Sequence, residues 1–369
     1  MCTLSAVPKH ETKSEAGVSE PLRVAVIGTG SLGKEHARIY AGLAKEGLVR
    51  FSGVYDVNGA SAVEVARRCG VSVFGALEEV AAAADAVSVV TPTPTHYRLA
   101  RHFLELGKHI LVEKPMTDNA GEAADLVRLA QAHGVRLMVG HVERFNPVFN
   151  YLQSVATDPR FIETHRLSPY PARSTDIGVV LDLMIHDLDI VLAFVRSPLA
   201  SFDAVGIPVL SGSEDIANAR LRFANGCVAN LTASRVSPER MRKIRVFSGG
   251  AIPTYVSLDY RAQTGFIYRL AREGESESSL LAKLLRGRDS TIVSEFAGKR
   301  IVREPVPLQK EEPLQLELRH FVNSVQAMQA PLVSGESAKP ALDVAFQITQ
   351  RIAEQLQAGD QRGPVLDQR

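Results

Sequence analysis

Asp182 and His186 stand four residues apart in the run Val179 to Val195, which is otherwise dominated by Leu, Val, Ile, Met and Phe. On a helix, both side chains leave from one face. An imidazole placed there accepts an alcohol proton near neutral pH, while the carboxylate orients it and stabilises the imidazolium. Asp187 and Asp189 interrupt the same run, and a bilayer would charge about 3 kcal/mol for each such acid, so the run is expected to be a buried helix and not a membrane span. Asp187 turns away from His186 and is expected to hold a loop. A second reactive group is Lys114 in Glu113-Lys114-Pro115. A lysine partly desolvated beside a cationic ring has its pKa lowered, which suits proton transfer or hydrogen bonding to a reacting hydroxyl. The third constellation is Gly28-Thr-Gly30-Ser31-Leu32-Gly33. Its first glycine permits a tight turn, its second lets backbone approach a pyrophosphate, and its third lets helix and strand pack closely. Asp56 falls where a carboxylate accepts hydrogen bonds from a ribose and repels a 2′-phosphate, favouring NAD over NADP. Zinc on His186, Asp182 and His141 is not expected, because no H-E-x-x-H or paired-cysteine spacing accompanies them.

Elements that would position these groups alternate. Strands are expected from Leu22, at Val49 to Tyr55, Val71 to Phe74, Ala86 to Val90, His109 to Val112 and Arg136 to Val139. Helices are expected at Gly33 to Ala44, Ala60 to Cys69, Leu77 to Ala83, Tyr97 to Leu106 and Gly121 to His133. That rhythm specifies an α/β Rossmann domain, a doubly wound parallel sheet over residues 21–140. It places Thr91-Pro92-Thr-Pro-Thr-His96 and Glu113-Lys114-Pro115 at the carboxyl edge, where open α/β sheets bind ligands. Residues 141–310 read as an α+β domain on an open, mostly antiparallel sheet, with a hairpin at Asn225-Gly226 and one helix near Leu181 to Phe194. Leu314 to Ala327 and Lys339 to Gln357 are expected to be helices, so that residues 311–369 pack back on both domains. Residues 1–20 read as a disordered tail. The charged stretch 271–288 reads as a mobile excursion.

The 369 residues are 45% hydrophobic and 22% charged, with a net charge of +1 and three cysteines. The balance gives no support to nucleic acid or membrane as a partner, and no disulfide framework is available. A cytoplasmic location is the simplest expectation. The basic run Arg235, Arg240, Arg242, Lys243 and Arg245 reads as the solvated face of a strand, since no aromatic interleaving accompanies it.

Taken together, Gly28-x-Gly30-x-x-Gly33, Thr91-Pro92, Glu113-Lys114-Pro115 and Asp182-x-x-x-His186 resemble the glucose–fructose oxidoreductase, inositol dehydrogenase and MocA family, over Leu22 to about Gln357. The resemblance implies that Lys114, His186 and Asp182 are catalytic. It implies that Gly28, Gly30, Ser31, Leu32, Gly33, Asp56, Thr91, Pro92, His96 and Glu113 bind NAD, and that the open sheet makes a homodimer or homotetramer. Gly140-His141-Val-Glu-Arg144-Phe-Asn-Pro147 and Pro169 to Asp187 resemble members that oxidise nucleotide sugars, above all C3 of UDP-N-acetylglucosamine. Those members feed a partner aminotransferase that makes a 3-amino sugar, in some bacteria for lipid A. His141, Arg144 and Arg173 are then expected at the substrate, the arginines because guanidinium forks match phosphate oxygens. Ion pairs of Arg173 with Asp176 and of Arg144 with Glu143 are the alternative. The same chemistry suits UDP-N-acetylglucosaminuronate, a free inositol or an aldose. A non-catalytic NAD sensor shares the fold, but the presence of both Lys114 and His186 argues against it.

Overall fold

The computed structural model describes residues 20–170, 177–250, 253–271, 291–296 and 298–360. The tail 1–19, Arg173 and nearly all of the charged stretch 271–288 lie outside these. The first half alternates strand and helix: β1 (Leu22–Ile27), α1 (Ser31–Lys45), β2 (Val49–Tyr55), α2 (Gly59–Cys69), β3 (Ser72–Val73), α3 (Leu77–Ala83), β4 (Ala86–Val89), α4 (His96–Glu105), β5 (His109–Glu113), α5 (Ala120–Ala132) and β6 (Leu137–Gly140). The strands form one parallel sheet ordered β3-β2-β1-β4-β5-β6. Val24 to Ile27, all of β4 and most of β5 are buried, as strands covered on both faces must be. Helix starts are set locally: Asn58 accepts from Ser61 N at 3.3 Å and Asn119 from Glu122 N at 2.9 Å. Strand order reverses between β1 and β4, and that reversal opens the crevice at their carboxyl ends.

After α6 (Pro147–Val155), a helix that sequence periodicity did not suggest, the chain builds β7 (Pro159–Leu167), α7 (Ile185–Val195), β8 (Leu199–Ile207), β9 (Ile216–Phe223), β10 (Val228–Ser234), β11 (Met241–Ser248), β12 (Thr254–Asp259), β13 (Thr264–Leu270), β14 (Thr291–Phe296) and β15 (Lys299–Pro305). These nine strands order as β14-β15-β13-β12-β11-β7-β10-β9-β8, and every pairing is antiparallel except β7 with β10. The hairpin turn falls at Asn225-Gly226, with Gly226 at φ +84°. Burial alternates along β9 and β10, with one face under α7. The expected helix from Leu181 is not uniform. Val180–Met184 is a wider π-turn that only then becomes α7.

Two closing helices, α8 (Pro313–Gln326) and α9 (Gly335–Asp360), tie the halves together. Helix α8 lies on α1 and on residues 142–145, while α9 touches α5 and β6 on one side and α7 and β8 on the other. Between them, Val333 O accepts from Val139 N at 2.9 Å. Among the described residues no helix is long and apolar enough to cross a membrane.

Helix α8 carries an anomaly. Glu317 is fully buried and neither carboxyl oxygen has a hydrogen-bond partner. Burial, then the charges of Glu113, Asp189 and Glu143, push its pKa well above the ordinary 4.5. The folded chain therefore keeps a proton that the unfolded chain releases, and stability falls as pH rises above about 4.5. Glu317→Gln is expected to raise Tm at pH 8, with a gain that shrinks toward pH 4.5. A thermal-denaturation series across that range checks this, and a gain independent of pH would contradict it.

Candidate active site

The crevice begins at the β1–α1 turn. Gly28 has φ +94°, and a Cβ there would lie 2.1 Å from Val90 O. A Cβ on Gly33 would lie 2.0 Å from Gly28 O, yet around Gly30 nothing stands within 4 Å. Two of the glycines thus allow the chain to pack on itself, and the third leaves an open backbone face. That face precedes the start of α1, which no side chain caps, so the first amides of the helix point outward beside exposed Ser31 and Leu32. A pyrophosphate fits such a cradle. Asp56 lies beside it, its Oδ2 accepting from Thr29 N at 2.6 Å and Thr29 Oγ1 at 2.9 Å, and its Oδ1 from Asn58 N at 2.8 Å. The carboxylate is thus fixed at the edge of the crevice while partly exposed, where it can accept from ribose hydroxyls.

Thr91 and Pro92 follow β4 at the same edge, and Thr95 Oγ1 donates to Thr91 Oγ1 at 2.6 Å. His96 and Glu113 do not present their side chains to the crevice as the sequence suggests. The His96 ring is buried, with Nδ1 2.9 Å from Pro115 O and Nε2 2.7 Å from Thr91 O. The Glu113 carboxylate is folded back under the strand ends, meeting His36 Nε2 at 3.0 Å and Lys114 N at 3.3 Å. Gly140 makes room for it, since a Cβ there would lie 2.8 Å from the carboxyl group. Both side chains are hydrogen-bonded within the protein.

Lys114 faces the other way. Its Nζ donates to Asp182 O at 2.6 Å and to Asp182 Oδ1 at 3.2 Å, joining the parallel sheet to the approach of α7. This corrects the expected Asp182–His186 pair. The π-turn at 180–184 removes the α-helical phase that would stack the two residues, and the carboxylate serves the lysine instead. His186 Nδ1 is buried with no hydrogen-bond partner, and its ring meets His141 edge-on at 6.3 Å between centroids. Burial first, then Lys114, Arg166 and His141, hold the His186 pKa well below 6.5, so the ring is neutral. His141 is also buried and shifted down, chiefly by desolvation.

Of the two expected substrate arginines, Arg173 lies outside the described residues. Arg144 is buried, 3.4 Å from Asp189 Oδ1 and over the Phe149 ring, so its charge is committed inside the protein. Its expected partner Glu143 instead meets Arg166 at 3.0 Å. Arg166, which belongs to none of the sequence motifs, also binds Asp187 through Nε and Nη2 at 3.0 and 2.9 Å. Burial opposes its charge, but Asp187 and Glu143 outweigh it and hold the guanidinium ionised. Arg166 occupies an inward phase of β7, so a cation out of step with the strand's alternation was the available signal. Arg235 likewise is not on a solvated face: it is fully buried against Asp215 at 2.8 Å and Ile177 O at 2.6 Å.

An open glycine turn, an acid after the second strand, and a lysine and a neutral histidine across the cleft define an NAD-binding Rossmann oxidoreductase. Comparison with known proteins narrows the class. The family profile "Oxidoreductase family, NAD-binding Rossmann fold" matches residues 22–141, and "GFO/IDH/MocA C-terminal domain" matches 153–250. UDP-N-acetylglucosamine 3-dehydrogenase of Acidithiobacillus ferrooxidans is 35% identical over 328 residues, 89% of this chain and 96% of that protein. Inositol 2-dehydrogenase of Rhizobium meliloti is 28% identical over 58% of this chain and 69% of its own length. A solved structure of the Acidithiobacillus enzyme superposes with a TM-score of 0.77 at 33% identity, covering 90% of this chain and 97% of the other. The chain belongs to the Gfo/Idh/MocA oxidoreductase family.

Removing the charge of Asp56 while keeping its size tests its part in cofactor choice. Asp56→Asn is expected to lower the ratio of kcat/KM for NAD to that for NADP by about tenfold, ~1.4 kcal/mol. Steady-state kinetics with both cofactors measure it, and an unchanged ratio would remove Asp56 from cofactor selection.

Proposed function

We propose that this chain oxidises C3 of UDP-N-acetylglucosamine to the 3-keto sugar with NAD. The observation that carries the substrate is the likeness to the Acidithiobacillus enzyme, 35% identical over 89% of this chain, whereas the scyllo-inositol 2-dehydrogenase of Bacillus subtilis, matched over the same 89%, is 26% identical. The site supports the chemistry. Bound NAD supplies the hydride acceptor. Neutral His186 offers a ring nitrogen to the hydroxyl proton, and Lys114 hydrogen-bonds the same oxygen and stabilises negative charge as it develops there. Asp182, bonded to Lys114 Nζ, sets where that ammonium points. Gly28, Gly30, Ser31, Leu32 and Gly33 hold the pyrophosphate through backbone, with Thr91 and Pro92 across the crevice from them. His141 walls the substrate cleft behind His186.

A 3-keto sugar is the substrate class of a transaminase, so a partner aminotransferase would consume the product and draw the oxidation forward, as 3-amino sugar and lipid A synthesis require. The uncovered face of the antiparallel sheet suits a homodimer or homotetramer. Along it Phe161, Phe247, Tyr255 and Tyr268 lie ring against ring at 5.7, 4.5 and 5.0 Å.

Incubation with NAD and a panel of UDP-sugars, inositols and free aldoses, followed by mass spectrometry, is expected to show UDP-N-acetylglucosamine lighter by a pair of hydrogens. Turnover of inositol but not of the UDP-sugar would overturn the substrate. Lys114→Ala and His186→Asn are each expected to lower kcat by about 10²–10⁴, and wild-type rates in either would overturn that residue's role.

A further inference from the structure

The two loops that form the crevice are held together at one buried point. The exit of β4 touches the glycine turn, since Val90 N donates to Ile27 O at 2.8 Å and Val90 O fills the place of a Gly28 side chain. The exit of β5 carries Lys114. Between these exits sits His96, the first residue of α4, only 1% exposed, with one ring nitrogen on each loop.

Both partners are carbonyl oxygens, so both can only accept. A neutral imidazole has one N–H and satisfies one of them. Burial, with the Lys114 charge, works against protonating the ring, although Glu113 and the two carbonyls work for it. The single N–H therefore goes where its absence would be most damaging. The contact with Pro115 O is buried, whereas that with Thr91 O is only partly buried, which makes the Thr91 carbonyl the less costly one to leave without a donor. That selects the tautomer with hydrogen on Nδ1, donating to Pro115 O.

We propose that His96 is a positioning residue for Lys114: its Nδ1–H, given to Pro115 O, fixes the Lys114-Pro115 segment relative to the glycine turn and so sets the ammonium against Asp182. This rests on the reading of Lys114 as the group that hydrogen-bonds the reacting hydroxyl. The role concerns where a reacting group stands; because the other ring nitrogen meets Thr91 O at the cofactor crevice, it is told apart from cofactor binding by reading kcat and NAD affinity separately. Displacing such a group by about 1 Å costs on the order of 100-fold in rate.

Amide side chains test the tautomer as well as the role. Asparagine places its amide near the Nδ1 position, and glutamine near the Nε2 position. With UDP-N-acetylglucosamine and NAD, His96→Asn is expected to keep kcat within about threefold of wild type, while His96→Gln and His96→Leu lose about 10–100-fold. The NAD dissociation constant from titration calorimetry is expected to stay within about threefold in all of them. Comparing Asn with Gln at matched folded fraction keeps the test sharp if the leucine variant misfolds. Equal kcat in Asn and Gln, or a wild-type kcat in Leu, would overturn the proposal. So would a tenfold weaker NAD affinity with kcat unchanged, which would make His96 a cofactor residue. Lys114→Ala run alongside separates the two readings. If it retains full activity the lysine assignment is wrong, and if it is inactive while the His96 variants are normal, only the link through His96 is wrong.

Discussion

The Lys114 ammonium reaches from the end of a parallel strand to the backbone carbonyl and carboxylate of Asp182, on a segment that belongs to the other sheet. One contact thereby sets the distance between the cofactor crevice and the histidine that faces it. It depends on irregular geometry at both ends. On one side, the strand must stop at Glu113 with that carboxylate folded inward, so that Lys114 projects outward. On the other, the chain must widen into a π-turn, which brings a carbonyl within reach of a cation and turns the Asp182 side chain toward it.

Beneath this contact lies a group of buried charges. Arg166 joins Asp187 and Glu143, and Arg144 meets Asp189. Taking these ions out of water is expensive, and a hydrophobic core would do as well for stability alone. Removing one partner from such a pair, however, leaves a stranded charge at about 3–5 kcal/mol. The arrangement thus tolerates little repacking, and it lies against His141 and His186, whose rings burial keeps neutral, with Lys114 and Arg166 adding to that effect at His186.

Alternation of apolar strands and amphipathic helices was enough to read the parallel sheet closely, since burial on both faces leaves a continuous apolar run and most turns are marked by glycine or asparagine. The glycine turn and Asp56 were legible for the same reason, as their function resides in backbone shape and strand register. Less legible were features that arise only when distant segments meet. The spacing of Asp182 and His186 predicts a shared face under α-helical geometry, and nothing local announces the π-turn. His96 and Glu113 are in the right loops, but which way each side chain turns is decided by Pro115, His36 and Gly140. Arg144 and Arg166 look alike as isolated cations. The phase of β7 marks Arg166 as inward, and the arrangement of β7 and α7 shows which buried acids each is committed to.

The bridging of both halves by α8 and α9 bears on how the polypeptide matures. Residues from the final sixth of the chain complete surfaces laid down much earlier: Val333 binds the backbone of β6, α8 covers α1, and α9 fills the seam between α5 and α7. During synthesis the dinucleotide-binding half therefore emerges with its last strand and first helix still uncovered, and it waits for most of the other half to be made. Nascent chains pass through a long interval in which apolar surface is exposed.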